Sequence, residues 1–447
     1  MTDRTEVTGS PVEPNRRDKN CSPHHQRGSR KNPFLESAAV TRRAFLIAAG
    51  TVAGSLMFKR SVAHGKTKTL VGFIVPQESQ HASETESLIA GFELFLKEKN
   101  VSSMEVLRKT AGEGDKDIAA AVAEMIMKHE VRFLVSPPTF KGSEKCVHGV
   151  PPGKLVLFVT NPAVRLVSGE MCIPGAFRLS PNTYQSARPL APWALTNLGR
   201  KVYITGRDDA QGNEEADFFA YGFEKAGGKF VDRRQAAADG RDLESIVDAI
   251  GQSDADFVFA SFRGEMAKTF LTSIRTAASG QAKPVVGPEC LTSYPSPLKD
   301  MGAPGLGVKS LGTVKDPVAF TKRVKGKTGK RVGNAVRAAE GYDIASVVFE
   351  ATKTQDAAQG ETDNLIKSIE KMEIRGPRGK IVFDKNHEPI LDVFVRQWAS
   401  RGGALRQEIV QELGTAASRD FGCGRVGFPK KTDLELQDEK RREEQEE

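Results

Sequence analysis

Val202-Tyr203-Ile204-Thr205 is a short apolar run that restarts a pattern the chain has already completed once. The first round opens at Leu70-Val71-Gly72-Phe73-Ile74-Val75, closed by Pro76. Residues 83–99 then place Ile89, Phe92, Phe95 and Leu96 on one helical face, and 116–128 do the same with Ile118, Val122, Met125 and Ile126. Phe133-Leu134-Val135 and residues 155–159 read as buried strands. After Thr205 the spacing predicts a helix over 213–226, ended by Gly227-Gly228, and another over 242–250. A strand over 256–260, a helix over 265–278 and Pro284-Val285-Val286-Gly287 follow. Short apolar runs separated by amphipathic helices predict parallel sheets covered on both faces. Two such series, 70–160 and 202–314, predict the α/β class: two doubly wound α/β lobes.

The C-terminal third is too sparse for a third lobe. Helices are expected at 317–329, 334–353 and 362–372. Ile381-Val382-Phe383 and 390–398 read as a β-hairpin around Asn386-His387-Glu388-Pro389. These elements are assigned to completing the first two lobes: 68–181 plus 315–377, and 182–314 plus 378–413, joined by a multi-crossing hinge. Residues 414–447 are expected to be a charged, solvated tail, because 429–447 carry almost no apolar side chains.

Hydrophobic residues make up 39% of the 447, enough to bury a real core, so wholesale disorder is excluded. The formal charge of +8 invites a nucleic-acid partner, but its location argues otherwise. Residues 1–63 hold 11 Lys/Arg against 5 Asp/Glu, which leaves 54 against 52 in the remainder. A near-neutral body without a basic stripe does not point to nucleic acid.

The first sixty-three residues read as an export signal. Arg42-Arg43 precede an apolar stretch from Phe45 to Phe58, followed by Lys59-Arg60 and Ser61-Val62-Ala63. A basic region, a short apolar core and small residues before a cleavage point form a three-part signal, with the mature chain expected to start at His64. The paired arginines resemble the twin-arginine signal. The stretch is short of the roughly 20 residues that span a bilayer, and no later stretch approaches that length, so the mature body is expected not to span a membrane. The expected location is periplasmic.

Motifs for covalent chemistry are missing. The sequence has no P-loop, no GxGxxG after the first strand, and no HExxH, GxSxG or CxxC. His64, His81, His129, His148 and His387 are too scattered to suggest a metal site. No catalytic residue, metal or cofactor is expected, and weight shifts from an enzyme to a binding protein. Cys146 and Cys172 flank the second half of the first lobe, and export would permit a disulfide between them.

Four stretches, in order, resemble the periplasmic substrate-binding proteins of branched-chain amino acid ABC transporters, the type I periplasmic binding proteins. Val202-Tyr203-Ile204-Thr205 with Asp208-Asp209-Ala210-Gln211-Gly212 resembles the family's strand and D-x-x-Y-G turn. Lys225-Ala226-Gly227-Gly228 and Asp239-Gly240-Arg241-Asp242-Leu243 resemble its next helix end and helix start. Ala339-Glu340-Gly341-Tyr342-Asp343 resembles its late A-x-x-x-Y-D-A helix, and the run from Gly376 to Asp384 its closing G-x-x-G-x-x-x-F-D hairpin. The resemblance covers about residues 68–413. It implies two lobes joined by three crossings that close on a ligand.

Open α/β sheets bind ligands beyond the carboxyl ends of their strands. In the first lobe those ends are Ser136-Pro137-Pro138-Thr139 and Thr160-Asn161-Pro162-Ala163, whose hydroxyls and backbone N–H groups suit a carboxylate. By resemblance Ser136 and Ala163 match the family's carboxylate-binding loops, with Thr139, Thr160 and Asn161 beside them. In the second lobe Gly287-Pro288-Glu289 ends a strand, and by resemblance Glu289 pairs with the ligand's α-amino group. Its loss is then expected to weaken binding about 30- to 4,000-fold while leaving the ligand-free fold intact. Tyr184, Gln211 and Phe262 complete the candidate contacts. Gln211 stands where the family often has Tyr, which predicts a more polar pocket. Pro137-Pro138 and Gln77-Glu78-Ser79 also depart from the family pattern.

The expected function is an exported solute-binding protein, monomeric, that closes on a small amino-acid-like ligand (a branched-chain amino acid, amide or related compound) and delivers it to an ABC transporter permease. A ligand sensor of the same fold, or an exported enzyme, are the alternatives.

Overall fold

The computed structural model describes residues 68–77, 79–112, 114–169, 171–277, 283–293, 305–353, 362–401 and 404–422. Arg42, Arg43 and Ala63 of the export signal lie outside them, as do residues 423–447.

The first sheet is five-stranded and wholly parallel, in the order β2-β1-β3-β4-β5. Its strands are β1 (Thr69–Pro76), β2 (Met104–Ala111), β3 (Phe133–Val135), β4 (Val156–Phe158) and β5 (Ala176–Phe177). Helix α1 (Ser79–Glu98) links β1 to β2, α2 (Asp115–Met127) links β2 to β3, and α3 (Phe140–Gly149) links β3 to β4. Alternate strand residues face opposite layers. Phe73, Phe133 and Phe158 join α1 in one core, while Ile74, Leu134 and Leu157 meet α2 and α3 in another. This two-sided burial explains why the strands read as unbroken apolar runs.

The chain then enters the second lobe through α4 (Thr183–Ala187) and α5 (Leu190–Asn197). The pattern repeats with β6 (Lys201–Arg207), α6 (Ala210–Lys225), β7 (Lys229–Ala236), α7 (Leu243–Gln252), β8 (Phe257–Ser261), α8 (Gly264–Ala277), β9 (Val285–Gly287), the single turn α9 (Cys290–Ser293) and β10 (Lys309–Gly312). The parallel order β7-β6-β8-β9-β10 repeats that of the first sheet. Helices α5 and α6 cover one face around Phe219 and Phe259, and α7 and α8 cover the other around Phe262 and Phe270.

The chain returns to the first lobe as α10 (Pro317–Thr328), α11 (Ala335–Ala351) and α12 (Thr362–Glu370). Helix α11 packs on α1 through two glycines: a Cβ on Gly91 would lie 1.7 Å from the Ala338 carbonyl oxygen, and one on Gly341 1.8 Å from that of Leu88. Four antiparallel strands finish the second sheet: β11 (Glu373–Gly376), β12 (Gly379–Phe383), β13 (Pro389–Arg401) and β14 (Ala404–Ala416). The chain thus passes between the lobes three times.

Three expectations change. Residues 373–376 hydrogen-bond into the second sheet, so a boundary at 377/378 falls in the turn of a hairpin, although Ile374, Ile381 and Phe383 pack in the first lobe's core. The tail does not begin at 414. Strand β14 continues to Ala416, Asn182 donates from Nδ2 to Ser418 Oγ at 2.7 Å, and Phe421 packs on Tyr184 and Phe218. Charge density farther along hid these anchors. Cys146 and Cys172 do not pair: Cys146 is a buried free thiol, whereas Cys172 is disulfide-bonded. No helix among the described residues is long and apolar enough to cross a membrane.

Candidate functional site

The carboxyl ends of both parallel sheets open onto one cleft of about 340 Å³. That volume lies at the small end of the range for small-molecule sites, roughly 300–1,000 Å³. The first lobe contributes the turn after β3, the turn after β4, and the starts of α1 and α11. The second contributes the ends of β6 and β8 and the starts of α6 and α9.

Of the sequence-predicted residues, Thr139, Asn161, Gln211 and Glu289 line this cleft. Thr139 caps α3, accepting from Gly142 N at Oγ1, 3.2 Å. Its following residues, Phe140 and Lys141, also face the cleft, so the positive end of a ten-residue helix borders the site. Asn161 donates from Nδ2 to Pro138 O at 2.8 Å and accepts from Ala163 N at 3.0 Å, tying the two first-lobe loops together.

Five others do not line the cleft. Ser136 is fully buried: its Oγ lies 2.8 Å from Ser143 Oγ and accepts from Thr160 N at 3.1 Å. Thr160 donates from Oγ1 to Ser136 O at 2.9 Å. The hydroxyl and amide expected to meet a carboxylate are thus spent joining β3 to β4. Ala163 is buried in the core with its N–H on Asn161. Tyr184 packs edge-on to Phe218 and Phe421. Phe262 turns into the core against Phe270, and the next residue, Arg263, faces the cleft instead.

Glu289 lines the cleft but is already engaged. Its Oε1 accepts from Thr313 N at 2.8 Å, its Oε2 from Thr313 Oγ1 at 2.8 Å, and Arg396 Nη2 lies 3.3 Å from Oε1. The carboxylate expected from sequence to receive a ligand ammonium thus already accepts three hydrogen bonds within the protein. Arg396 comes from β13, a strand whose side-chain direction no linear motif announced.

The remaining charges form two networks. On the first lobe Arg337 meets Glu84 at 3.1 Å and Glu340 at 2.8 Å, and donates to Thr160 O at 2.8 Å. Burial opposes its charge, but Glu340 and Glu84 outweigh burial and hold its pKa above the ordinary value. On the second lobe Asp209 caps α6 and pairs with Arg207 at 3.1 Å and with Arg263. The Arg263 Nη1 atom is buried and has no hydrogen-bond partner. Beside it Glu215 takes hydrogen bonds from Ser261 Oγ and from Gln211 Nε2, the latter at 3.1 Å. Burial pushes the Glu215 carboxyl up to about 7. Burial also raises the Cys290 thiol well above its ordinary value, so it stays protonated. A cleft whose carboxylates are paired or tending to protonate, with a guanidinium donor unspent, favours a negative group. Among the described residues no cluster of three His, Cys, Asp or Glu is arranged to hold a metal.

A family model of periplasmic binding proteins matches residues 69–404. The chain is 23% identical over 347 residues to Leu/Ile/Val-binding protein homolog 6 of Brucella melitensis biotype 1, covering 74% of this chain and 87% of that one. Its fold superimposes with a TM-score of 0.70 on an ABC transporter solute-binding protein from Rhodopseudomonas palustris BisB5 in complex with 3,4-dihydroxybenzoic acid, at 22% identity, covering 79% of this chain and 98% of that one. It matches the closed leucine-, isoleucine-, valine-, threonine- and alanine-binding protein of Brucella ovis at 0.71, with 15% identity and 81% and 100% coverage. The repeated 2-1-3-4-5 strand order, the cleft between the two sheets and a family match across three quarters of the sequence place this chain in the periplasmic binding protein family.

Proposed function

We propose that the protein is exported and serves an ABC permease by closing on a small organic acid that carries no cationic amine. The observation that carries this is the engagement of Glu289 by Thr313 and Arg396. A ligand ammonium there would find one acceptor position left on Oε2 and a neighbouring guanidinium that repels it, whereas a ligand carboxylate can pair with Arg263, whose side chain lines the cleft and has Nη1 unspent. One fold relative holds 3,4-dihydroxybenzoic acid, in line with this reading, while the Brucella ovis relative is named for amino acids, the ligand class expected from sequence. The mechanism is hinge closure: residues of both lobes line the cleft, so a ligand that touches both favours the closed arrangement.

Titration calorimetry with benzoate, 4-hydroxybenzoate and leucine tests the ligand class. Binding of either acid with no heat from leucine is expected. Leucine binding with neither acid bound overturns it. Export is tested by N-terminal sequencing of the secreted protein, which should begin at His64, and by replacing Arg42 and Arg43 with lysine, which should block twin-arginine export.

A further inference from the structure

The second sheet carries another groove, of about 500 Å³, at its opposite edge. Pro284 directly precedes β9 and Lys309 opens β10, and both line this groove. Glu289 and Thr313 follow the other ends of the same two strands, at the cleft. Four residue steps of strand separate Lys309 from Thr313, about 13 Å. Trp398 of β13 is fixed there by its backbone: it donates to Val308 O at 3.0 Å and accepts from Gly307 N at 2.8 Å. Arg275, near the end of α8, and the exposed Leu306 complete the walls.

The polar side chains of greatest consequence in this groove are donors. Arg275 Nη2 donates to Leu306 O at 2.7 Å and Lys309 Nζ to Gly307 O at 3.1 Å, but among the described residues neither cation has a carboxylate partner. Arg275 Nε is buried with no acceptor, and so is Nε1 of Trp398, a residue only 6% exposed. Guanidinium, ammonium and indole N–H groups can only donate. Buried donors left unmatched are costly, and two neighbouring cations without a counter-charge add repulsion. Burial lowers the pKa of both Arg275 and Lys309, and for Lys309 the charge of Arg275 lowers it further. The missing component is an acceptor with negative charge.

We infer that this groove is a second binding site, separate from the cleft, for a small oxyanion held by Arg275 and Lys309 with the Trp398 indole N–H as a third donor. A carboxylate and a phosphate share the chemistry these donors require. Pro284 and Leu306 offer an apolar wall to any organic body the anion carries.

The chain has two tryptophans, so Trp193→Phe leaves Trp398 as the sole indole reporter. Titration of that protein with inorganic phosphate, and separately with acetate, in chloride buffer of low ionic strength should give a saturable change in emission. A response to phosphate alone assigns the site to phosphate, to acetate alone to carboxylates, and to both to oxyanions generally. In Arg275→Gln/Lys309→Gln the affinity should fall about tenfold for each cation removed. Calorimetry of the same two anions with the parent chain and the double variant gives the decision again without touching Trp193. Absence of a saturable response to either anion, or one unchanged in the double variant, overturns the inference.

Discussion

Arg396 reaches Glu289 through the space that Gly312 leaves open: a Cβ on Gly312 would lie 2.3 Å from Arg396 Nε. The pair is nearly sealed from solvent, with Arg396 3% exposed, and the guanidinium also donates to Val314 O and, at 2.8 Å, to Gln407 Oε1. Glu289 therefore serves the fold of the second lobe as well as lining its cleft.

Glu289→Ala should destabilise the ligand-free protein, contrary to the expectation drawn from sequence. Removing one partner leaves a buried guanidinium uncompensated, at about 3–5 kcal/mol. Urea unfolding of the ligand-free variant would show a lowered midpoint. Replacing both Glu289 and Arg396 by Met should recover much of the loss, because the buried charges leave together. An unchanged midpoint in Glu289→Ala would mean that the pair is not formed in solution.

Arg263→Gln should weaken binding of an organic acid while leaving the lobe intact. Asp209 retains Arg207 at 3.1 Å, so no carboxylate is orphaned. Loss of one charge-assisted hydrogen bond of about 1.5–3 kcal/mol corresponds to roughly 10- to 150-fold in affinity. Calorimetry with the acid bound by the parent measures this. Equal affinities in the two proteins would remove Arg263 from the site.

Gly91→Ala and Gly341→Ala each test the contact that joins α1 to α11. An added methyl would sit within 2 Å of a carbonyl oxygen on the facing helix, and backbone cannot yield as a side-chain tip can. Overpacking of this kind costs about 1–3 kcal/mol, occasionally more. Thermal unfolding should show a lower midpoint in each variant and no gain from either. A variant as stable as the parent would show that the helices have room to separate.

The architecture was legible in the sequence because doubly buried parallel strands are continuous apolar runs, and β1, β3, β4, β6, β8 and β9 all obey that rule. Strands that failed it went unseen. β2 and β7 mix charged and apolar residues at sheet edges, and β14 is mostly exposed with polar residues interspersed. The cleft was legible as two sets of strand ends, but which residue at each end faces it was not. Ser136 and Thr160 have the right chemistry, yet they turn toward each other. Phe262 and Arg263 are adjacent, and one step of the loop decides which enters the core. Arg337 and Arg396 come from elements distant in sequence from the loops they meet. The quoted helix Ala339-Glu340-Gly341-Tyr342-Asp343 begins just past Arg337, so extending that stretch by two residues would have brought it into view.

Glu215 should make the protein's stability and its ligand affinity depend on pH near neutrality. Its carboxyl, pushed up to about 7 in the folded state by burial, titrates near 4.5 when unfolded. Below 4.5 both states hold the proton and the contribution is fully present. Between 4.5 and 7 the unfolded chain gives up its proton first, so stability is lost as pH rises, by about 3 kcal/mol in all. Glu215→Gln keeps a neutral acceptor for Ser261 and Gln211 at every pH. Burial also raises Glu388 and Asp343, but they titrate alike in both proteins and cancel in the comparison. The variant's advantage in unfolding free energy should therefore be near zero at pH 4.5 and largest at pH 8. Asp209, Arg263 and Cys290 surround the same carboxyl and are unchanged by the substitution. An anionic ligand beside it is repelled once the proton leaves, so parent affinity should fall through pH 7 while that of Glu215→Gln stays nearly flat. Parallel pH profiles for parent and variant, in stability and in binding, would show that Glu215 is ionised throughout.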